Sequence, residues 1–173
     1  MLRAVLAYPD PRLAFPARPF TEAELVCPGT HRLLDDMAET LYSRDGVGLA
    51  APQIGESVMA VVIDYGTGLI ELLNPVIVNP GLLAPAATIQ TEEACLSVPG
   101  VTARLTRWAR VTVRYRTRAG ERSSVELEGF PAVVYQHEID HLAGRLILDR
   151  MSRLARRVAE QKIARLAGRR ARG

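Results

Sequence analysis

The feature that most constrains this chain is a pair of histidines four residues apart, His137 and His141, with Glu138 between them. In an α-helix, such positions lie on one face about one turn apart, a spacing that suits two imidazole ligands of one metal ion. The offset of Glu138 carries its carboxylate to the flank of the ion, within reach of a water molecule there. Two core imidazoles without a metal would hide polar groups at high cost. The pattern therefore predicts a helix that carries a metal site.

Length and composition place that helix in one globular domain. The 173 residues, 48% of them hydrophobic and 24% charged, suffice for a single buried core. No apolar run approaches the roughly 18 residues of a membrane span, and the N-terminal segment becomes polar too early for a secretory signal. We expect a single domain over residues 1–168, a frayed basic tail over 169–173, no membrane partner and a cytoplasmic location with reduced cysteines.

Periodicity along the chain predicts an α+β fold, with mostly antiparallel sheets packed around a central metal-binding helix, an N-terminal helix and a basic C-terminal helix. The clearest strand is 110–118, where apolar and polar residues alternate strictly before a turn at Ala119-Gly120. Thr30 or a neighbour is expected to cap the first helix. The predicted helices cover about residues 30–45, 129–148 and 152–166, and the predicted strands cover residues 60–64, 69–73, 76–78, 110–118 and 123–128.

Two side chains compete for the third ligand position. The site six residues after the second histidine holds Ile147, which removes a third histidine there, and Glu160 is the downstream acid at a usable separation. Upstream, Cys95 would complete a set of two imidazoles and one thiolate with a fourth position open for water. We favour Cys95, whereas Cys27 is interpreted as a small buried residue without a chemical role.

A segment of small residues, Gly46 to Gly55, stands apart from these ligands. Its three glycines and two alanines permit close approach of the backbone to a ligand, so the loop can lay its amides against an extended peptide. Gln53 adds a neutral amide donor that can stabilise an oxyanion. The segment matches neither the phosphate-binding loop nor the dinucleotide-binding pattern, so neither kind of nucleotide site is predicted.

Three segments of the chain read GVGLAAPQIG at 46–55, EACLSVPG at 93–100 and QHEIDHLAG at 136–144. Taken in order, they resemble the signature motifs of the peptide deformylases. The resemblance covers nearly the whole chain, and the basic C-terminal helix is similar to that of the bacterial-type branch. It implies removal of the formyl group from the N-terminal formyl-methionine of newly made polypeptides, with release of formate.

The resemblance also implies a role for particular residues. The implied metal ligands are Cys95, His137 and His141, the implied general base is Glu138, and the implied oxyanion donors are the Gln53 side chain and the Leu96 N–H. The implied substrate-binding residues are Gly48 for the peptide main chain and Val47, Phe130, Val133 and Val134 for the methionine side chain. One divalent ion per chain is implied, Fe(II) in the native state with zinc, nickel or cobalt as substitutes, and a thiolate ligand suits both Fe(II) and Zn(II).

The chain departs from the family pattern at two positions. Ala94 replaces the usual glycine before the cysteine, so a positive φ there would force the strand to adjust, and we expect metal binding to survive the added methyl group. Thr102 stands where arginine is common, which bears on contacts at the substrate entrance. Glu93 is expected to support the metal site, paired with Arg107, and not to act as a catalyst.

Two other functions remain open from the residues alone. A metallopeptidase would use His137, His141 and Glu160 as ligands. A non-catalytic binding module would use the basic tail, because residues 150–173 carry a net charge of +8 and the rest of the chain −5, which together give the formal +3. That charge suits contact with ribosomal RNA, although a solvated helix face also explains it. No DNA partner is expected.

Overall fold

The computed structural model describes residues 1–78 and 87–170, and within those ranges the chain forms four α-helices and seven β-strands. The helices are α1 (Glu22–Leu25), α2 (Pro28–Tyr42), α3 (Phe130–Leu142) and α4 (Arg153–Arg170). The strands are β1 (Gly48–Ala50), β2 (Ala60–Ile63), β3 (Ile70–Val78), β4 (Thr88–Ala94), β5 (Thr102–Trp108), β6 (Arg110–Arg116) and β7 (Arg122–Glu128). The predicted α+β class is confirmed.

The described strands form two antiparallel sheets. Five strands pair in the order β1-β2-β3-β6-β7, and β4 pairs with β5 in a second sheet. The predicted hairpin is β6 and β7, in which Val111 and Val113 are buried while Arg110 and Arg114 are exposed. This alternation follows from the two-residue repeat of a strand that packs one face on a core.

Helix α3 packs against strands of both sheets, β1, β2, β3 and β7 of the larger one and β5 of the smaller one. Most of its surface is therefore buried, including Ala132, Val134 and Tyr135, which join the apolar cluster of the larger sheet. A helix held from several sides presents its polar residues at fixed positions. The expected central helix is present.

The predicted end of α3 and the predicted start of α2 are wrong. Helix α3 ends at Leu142 because Gly144 adopts a φ of 68°, and a 3₁₀ turn over Ile147–Arg150 follows where the continued helix was expected. Helix α2 begins at Pro28, and Thr30 lies inside it with its hydroxyl donating to the Glu24 carbonyl, so Thr30 is not the cap. Proline in the first turn costs no hydrogen bond.

The strand predictions need two corrections. The expected break at Asn74-Pro75 is a register shift inside the continuous strand β3. Asn74 adopts a φ of 50°, and its side-chain amide bonds both the N–H and the carbonyl of Phe20. Strands β1, β4 and β5 were not predicted. Strand β1 lies in the small-residue segment that was expected to be a loop, and β5 was missed although it alternates between buried and exposed residues.

Helix α4 extends to Arg170, past the predicted end at Leu166. The predicted frayed tail falls partly on residues 171–173, which lie outside the described residues, and the domain boundary at residue 168 stays a prediction. None of the helices within residues 1–78 and 87–170 combines the length and apolar character needed to cross a bilayer.

Candidate metal centre

Helix α3 and the end of β4 bring three ligand atoms together. The imidazole centroids of His137 and His141 lie 5.0 Å apart, and the Cys95 Sγ lies 3.3 Å from the His141 Nε2. One sulfur and one ring nitrogen from each histidine all fall within 4.8 Å of one another. One thiolate and two imidazoles are a donor set that suits a divalent transition metal.

The alternative ligand Glu160 does not join this group in the described part of the chain. Its carboxylate lies on α4, where it accepts hydrogen bonds from the Tyr8 hydroxyl at 3.0 Å and the Arg156 Nε at 2.9 Å. Cys27 is also remote from the centre, and it is exposed, contrary to the expected burial. It precedes α2 at the N-cap position.

Glu138 is buried beside the three ligand atoms with an unsatisfied oxygen. Its Oε2 has no hydrogen-bond partner among the described residues, and the residue is only 4% exposed. Burial raises the pKa of Glu138 to about 7, an effect that the charge of His137 opposes. A buried carboxylate oxygen without a partner is costly, so this atom fits a place where an ion and its water ligand supply the missing contacts.

The two imidazoles differ in their surroundings. The Nδ1 of His137 lies 2.8 Å from the Glu93 Oε2, which leaves its Nε2 to face the ligand cluster. Burial alone would lower the pKa of His137, but hydrogen bonds with Cys95 and Glu93 raise it to about 10. Burial and the neighbouring His137 charge lower the pKa of His141 well below its ordinary value. Two adjacent buried imidazoles cannot both be in the positively charged, doubly protonated form, whereas both neutral rings can bind one metal cation.

A buried network of charges lies behind His137. Arg107 donates to both Glu93 oxygens, from Nε at 2.7 Å and Nη2 at 2.8 Å, and from Nη1 to the Asp140 Oδ2 at 2.6 Å. Arg150 then binds both Asp140 oxygens. Burial would raise the pKa of Glu93, but Arg107 and His137 lower it to about 2. The predicted Glu93–Arg107 pair is confirmed, whereas the contacts of Asp140 and Arg150 follow from no pattern in the sequence.

The expected oxyanion donors lie next to the cysteine. Gln53 is in a 3₁₀ turn, where its Oε1 accepts a 2.8 Å hydrogen bond from the Ala50 N–H. Its Nε2 then lies 3.8 Å from the Cys95 Sγ and 3.2 Å from the Ser97 Oγ, so Ser97 is a further contact that sequence reasoning missed. The Leu96 N–H has no hydrogen-bond partner among the described residues. Both donors are therefore near the centre.

An open cavity of about 390 Å³ leads to these groups. The five expected substrate-binding residues all line it: Val47, Gly48, Phe130, Val133 and Val134. Val47 and Phe130 are 37% and 58% exposed, and Val133 and Val134 are buried in the wall. Ala94 also lines the cavity, in extended strand without a positive φ, so the methyl group that replaces the usual glycine introduces no backbone strain.

Comparison with known proteins shows the family. A family model for polypeptide deformylases matches residues 2–157. Peptide deformylase 2 of Xanthomonas campestris pv. campestris is 40% identical over 166 residues, which cover 95% of this chain and 96% of the relative. A peptide deformylase structure from Legionella pneumophila has a TM-score of 0.89 at 37% identity and covers 100% of this chain and 99% of its own. A Met-Ala-Ser-bound class I type b peptide deformylase from Acinetobacter baumannii has a TM-score of 0.80 at 30% identity, over 87% of this chain and 99% of its own. The chain therefore belongs to the polypeptide deformylase family of hydrolases.

Proposed function

We propose that this hydrolase removes the formyl group from the N-terminal formyl-methionine of newly made polypeptides and releases formate, using one divalent metal ion. Family membership supports deformylation of nascent peptides. One observation carries the proposed metal-dependent mechanism: the ligand atoms of Cys95, His137 and His141 converge within 4.8 Å, beside the Oε2 of Glu138, which accepts no hydrogen bond from any residue that the structure describes.

The donor set indicates which ions the centre would hold. Cys95 Sγ, His137 Nε2 and His141 Nε2 are the proposed ligands, and thiolate with imidazole suits Fe(II) and Zn(II). We propose Fe(II) as the native ion and zinc, nickel or cobalt as substitutes. When bound, the ion supplies Lewis acidity, which polarises the formyl carbonyl and makes a water molecule more acidic.

The edges of the two sheets would hold the peptide. Strand β1 is at the edge of the larger sheet and β4 at the edge of the smaller one, and Gly48 and Ala94 from these strands line the same cavity. An extended peptide between two sheet edges can form main-chain hydrogen bonds with either of them. The apolar wall at Val133 and Val134 would take the methionine side chain. The Acinetobacter relative with Met-Ala-Ser bound supports this class of ligand.

The chain's own groups account for the proton transfers. Glu138 takes a proton from the attacking water, whose oxygen bonds to the formyl carbon, and then delivers that proton to the nitrogen as the C–N bond breaks. The products are formate and a free amino terminus. The Gln53 amide and the Leu96 N–H donate to the formyl oxygen while negative charge grows on it. A pKa of about 7 at Glu138 suits an acid–base group that must both accept and return a proton.

We also propose that the enzyme is cytoplasmic and that α4 contacts the ribosome. Its exposed face carries Leu154 and Val158, at 75% and 59% exposure, among arginines. Cosedimentation with ribosomes at low and high salt tests the contact. Arg153→Glu combined with Arg157→Glu should reduce it, because each lost phosphate contact weakens binding.

Formate release from formyl-Met-Ala-Ser tests the proposed function directly. The protein would be reconstituted anaerobically with iron, zinc, nickel or cobalt and assayed with and without chelator. Cys95→Ser should lose the metal and nearly all activity, while Cys27→Ser, a change at the exposed cysteine, should match the wild type. No turnover in any metal form would contradict the proposal and favour a binding module. An active Cys95→Ser with an inactive Glu160→Ala would instead indicate the peptidase.

A further inference from the structure

We propose that Arg150 is a positioning residue for the metal centre, although it is remote from the ligands in sequence and partly exposed. Acting through Asp140, Arg107 and Glu93, it holds the imidazole of His137 in the orientation that faces the ion. This inference rests on the proposed metal centre and extends it to the far side of α3. Within the part of the chain that the structure describes, Arg150 belongs neither to the ligand cluster nor to the lining of the substrate cavity.

The contacts form an unbroken path. Arg150 binds Asp140 with Nε on Oδ2 and Nη2 on Oδ1, a fork in which both oxygens are held. The same Oδ2 accepts from the Arg107 Nη1 at 2.6 Å. Arg107 turns its other two donors to Glu93. Each link is a charge-assisted hydrogen bond between groups of which the inner three are buried.

One oxygen joins the network to the ligand. The Glu93 Oε2 lies 2.8 Å from the Arg107 Nη2 and also 2.8 Å from the His137 Nδ1. A shift of the Arg107 guanidinium therefore acts at the same atom that orients the imidazole. A hydrogen-bond partner of this kind fixes both the ring orientation and the tautomer of a metal-ligating histidine.

Charge balance explains why the path needs Arg150. Glu93, Arg107 and Asp140 together carry a net negative charge, and their side chains are between 1% and 11% exposed. Arg150 makes the group neutral. Without it, Asp140 loses both hydrogen bonds at its outer side and keeps Arg107 as its cationic partner, so the two carboxylates compete for one guanidinium.

A second cavity would increase the effect of losing the hydrogen bonds between Arg150 and Asp140. Its volume is about 260 Å³, and Arg107, Asp140 and Arg150 line it together with Gln136. This space is large enough for several water molecules. Truncation of Arg150 would open Asp140 further to this water, and the rigid fork would be replaced by mobile hydrogen bonds. The orientation of Arg107, and through it that of Glu93, would then be less well defined.

Release of zinc from the loaded protein to an excess of chelator, well below the unfolding temperature, tests the proposal. Arg150→Met should release zinc about 3- to 10-fold faster than the wild type, less than the 10- to 100-fold that loss of a direct partner causes. Arg156→Met is the matched control, because Arg156 is 39% exposed against 36% for Arg150 and pairs with Asp149 and Glu160 away from the network. It should release zinc at the wild-type rate even if it unfolds at a lower temperature.

Three further measurements separate positioning from general destabilisation. Arg150→Lys keeps the charge but cannot bind both Asp140 oxygens in a fork, so it should show an intermediate rate and serves if Arg150→Met does not fold. In an Asp140→Asn background, Arg150→Met should add nothing to the release rate. The visible absorption of the Co(II)-substituted protein should change in Arg150→Met and not in Arg156→Met.

The outcomes that overturn the proposal are distinct. Wild-type release by Arg150→Met would remove the role of Arg150, and a full effect on top of Asp140→Asn would remove the path through Asp140. Either result leaves formate release by the wild type intact and so leaves the proposed function standing. A wild-type protein that binds no ion would overturn the metal centre and the positioning role together.

Discussion

The buried acidic side chains on the two faces of α3 differ in how fully they are hydrogen-bonded. Towards the cavity, Glu138 keeps an oxygen that has no partner within residues 1–78 and 87–170, and His137 and His141 turn ring nitrogens to a sulfur. On the other face, Asp140 has both oxygens occupied by arginines. These acids are two residues apart on one helix, so their different surroundings are set by the packing around α3 and not by the helix itself.

The comparison separates two uses of a buried charge. An unsatisfied group is a cost to folding that a ligand or a reaction can relieve, whereas a saturated group adds rigidity and little chemistry. Burial accordingly raises the pKa of Glu138 to about 7, while Arg107 and His137 overcome burial and lower that of Glu93 to about 2. We call the side of α3 with Glu138, His137 and His141 the reactive face, and the side where Asp140, Arg107 and Glu93 form hydrogen-bonded ion pairs the saturated face. The reactive face depends on the saturated face, because Glu93 holds the ligand His137.

The largest expected effect is on the reactive face. Glu138→Gln keeps the shape of the side chain but removes its ability to carry a proton, so formate release should fall by about 10²- to 10⁴-fold. The metal content should stay at the wild-type level, because Glu138 is not a proposed ligand. Formate release and metal analysis on the same sample check both. Activity within a few-fold of the wild type would show that the unsatisfied carboxylate does not carry the chemistry.

Glu93→Gln should affect stability instead of the proton transfer. It leaves Arg107 buried with one acidic partner, and breaking a buried pair in this way costs about 3–5 kcal/mol of unfolding free energy. Zinc affinity should fall about 10- to 100-fold, because His137 loses its orienting carboxylate. Urea unfolding and competition for zinc measure the two effects. A variant as stable as the wild type would show that the buried ion pairs of the saturated face do not stabilise the fold.

The same pair should respond to acid. The pKa of Glu93 is about 2 in the folded protein and 4.5 ordinarily, so its contribution to stability is complete above pH 4.5 and disappears as the pH falls through about 2. The stability difference between the metal-free wild type and metal-free Glu93→Gln should therefore shrink by about 2 kcal/mol between pH 5 and pH 3. Unfolding curves at matched pH test this. A difference that grows towards acid pH would reverse the sign and reject the pairing.

Gly48→Ala should displace the Glu138 carboxylate, because Gly48 in β1 packs against it across the cavity. A Cβ at Gly48 would lie 2.4 Å from the Glu138 Oε1, so the carboxylate must move. We expect kcat to fall about 10- to 100-fold, since small displacements of a catalytic group are costly. Gly29→Ala is the control, because a Cβ there meets nothing within 4 Å, and kcat should not change. Equal kcat values for both variants would show that the packing of Gly48 against Glu138 is unimportant.

The difference between the faces also explains how far the sequence could be interpreted. The spacing of His137 and His141 predicts a shared helix face, and the surrounding motifs indicated Cys95, because both signals are local. The contacts of Asp140 with Arg107 and Arg150 depend on how β5 and the turn after α3 pack around the helix. No periodicity encodes that packing.

The errors in the predicted secondary structure also have identifiable causes, some local and some non-local. The end of α3 was missed although Gly144 is a common signal for a helix end, because the apolar pattern continues beyond it. Strands β4 and β5 were missed because β4 carries polar residues and glutamates at most positions. What stabilises such a strand is its contact with the partner strand, which a local sequence pattern does not show. Hydrophobic patterns therefore predicted four strands of the larger sheet, β2, β3, β6 and β7. They predicted neither its edge strand β1 nor the small sheet that positions Cys95.

The smallest expected effect concerns that small sheet. Ala94 occupies the place where the family resemblance led us to expect glycine, yet it lies in extended β4 opposite Thr102, with its side chain exposed. Because no positive φ is required there, Ala94→Gly should lower the unfolding free energy by only about 0.5–1 kcal/mol, through greater freedom of the unfolded chain. Zinc affinity and kcat should remain at wild-type values, since Cys95 keeps its position after the strand. If glycine raised kcat severalfold, the methyl group would be obstructing the cavity, and β4 would belong with the reactive face and not with its support.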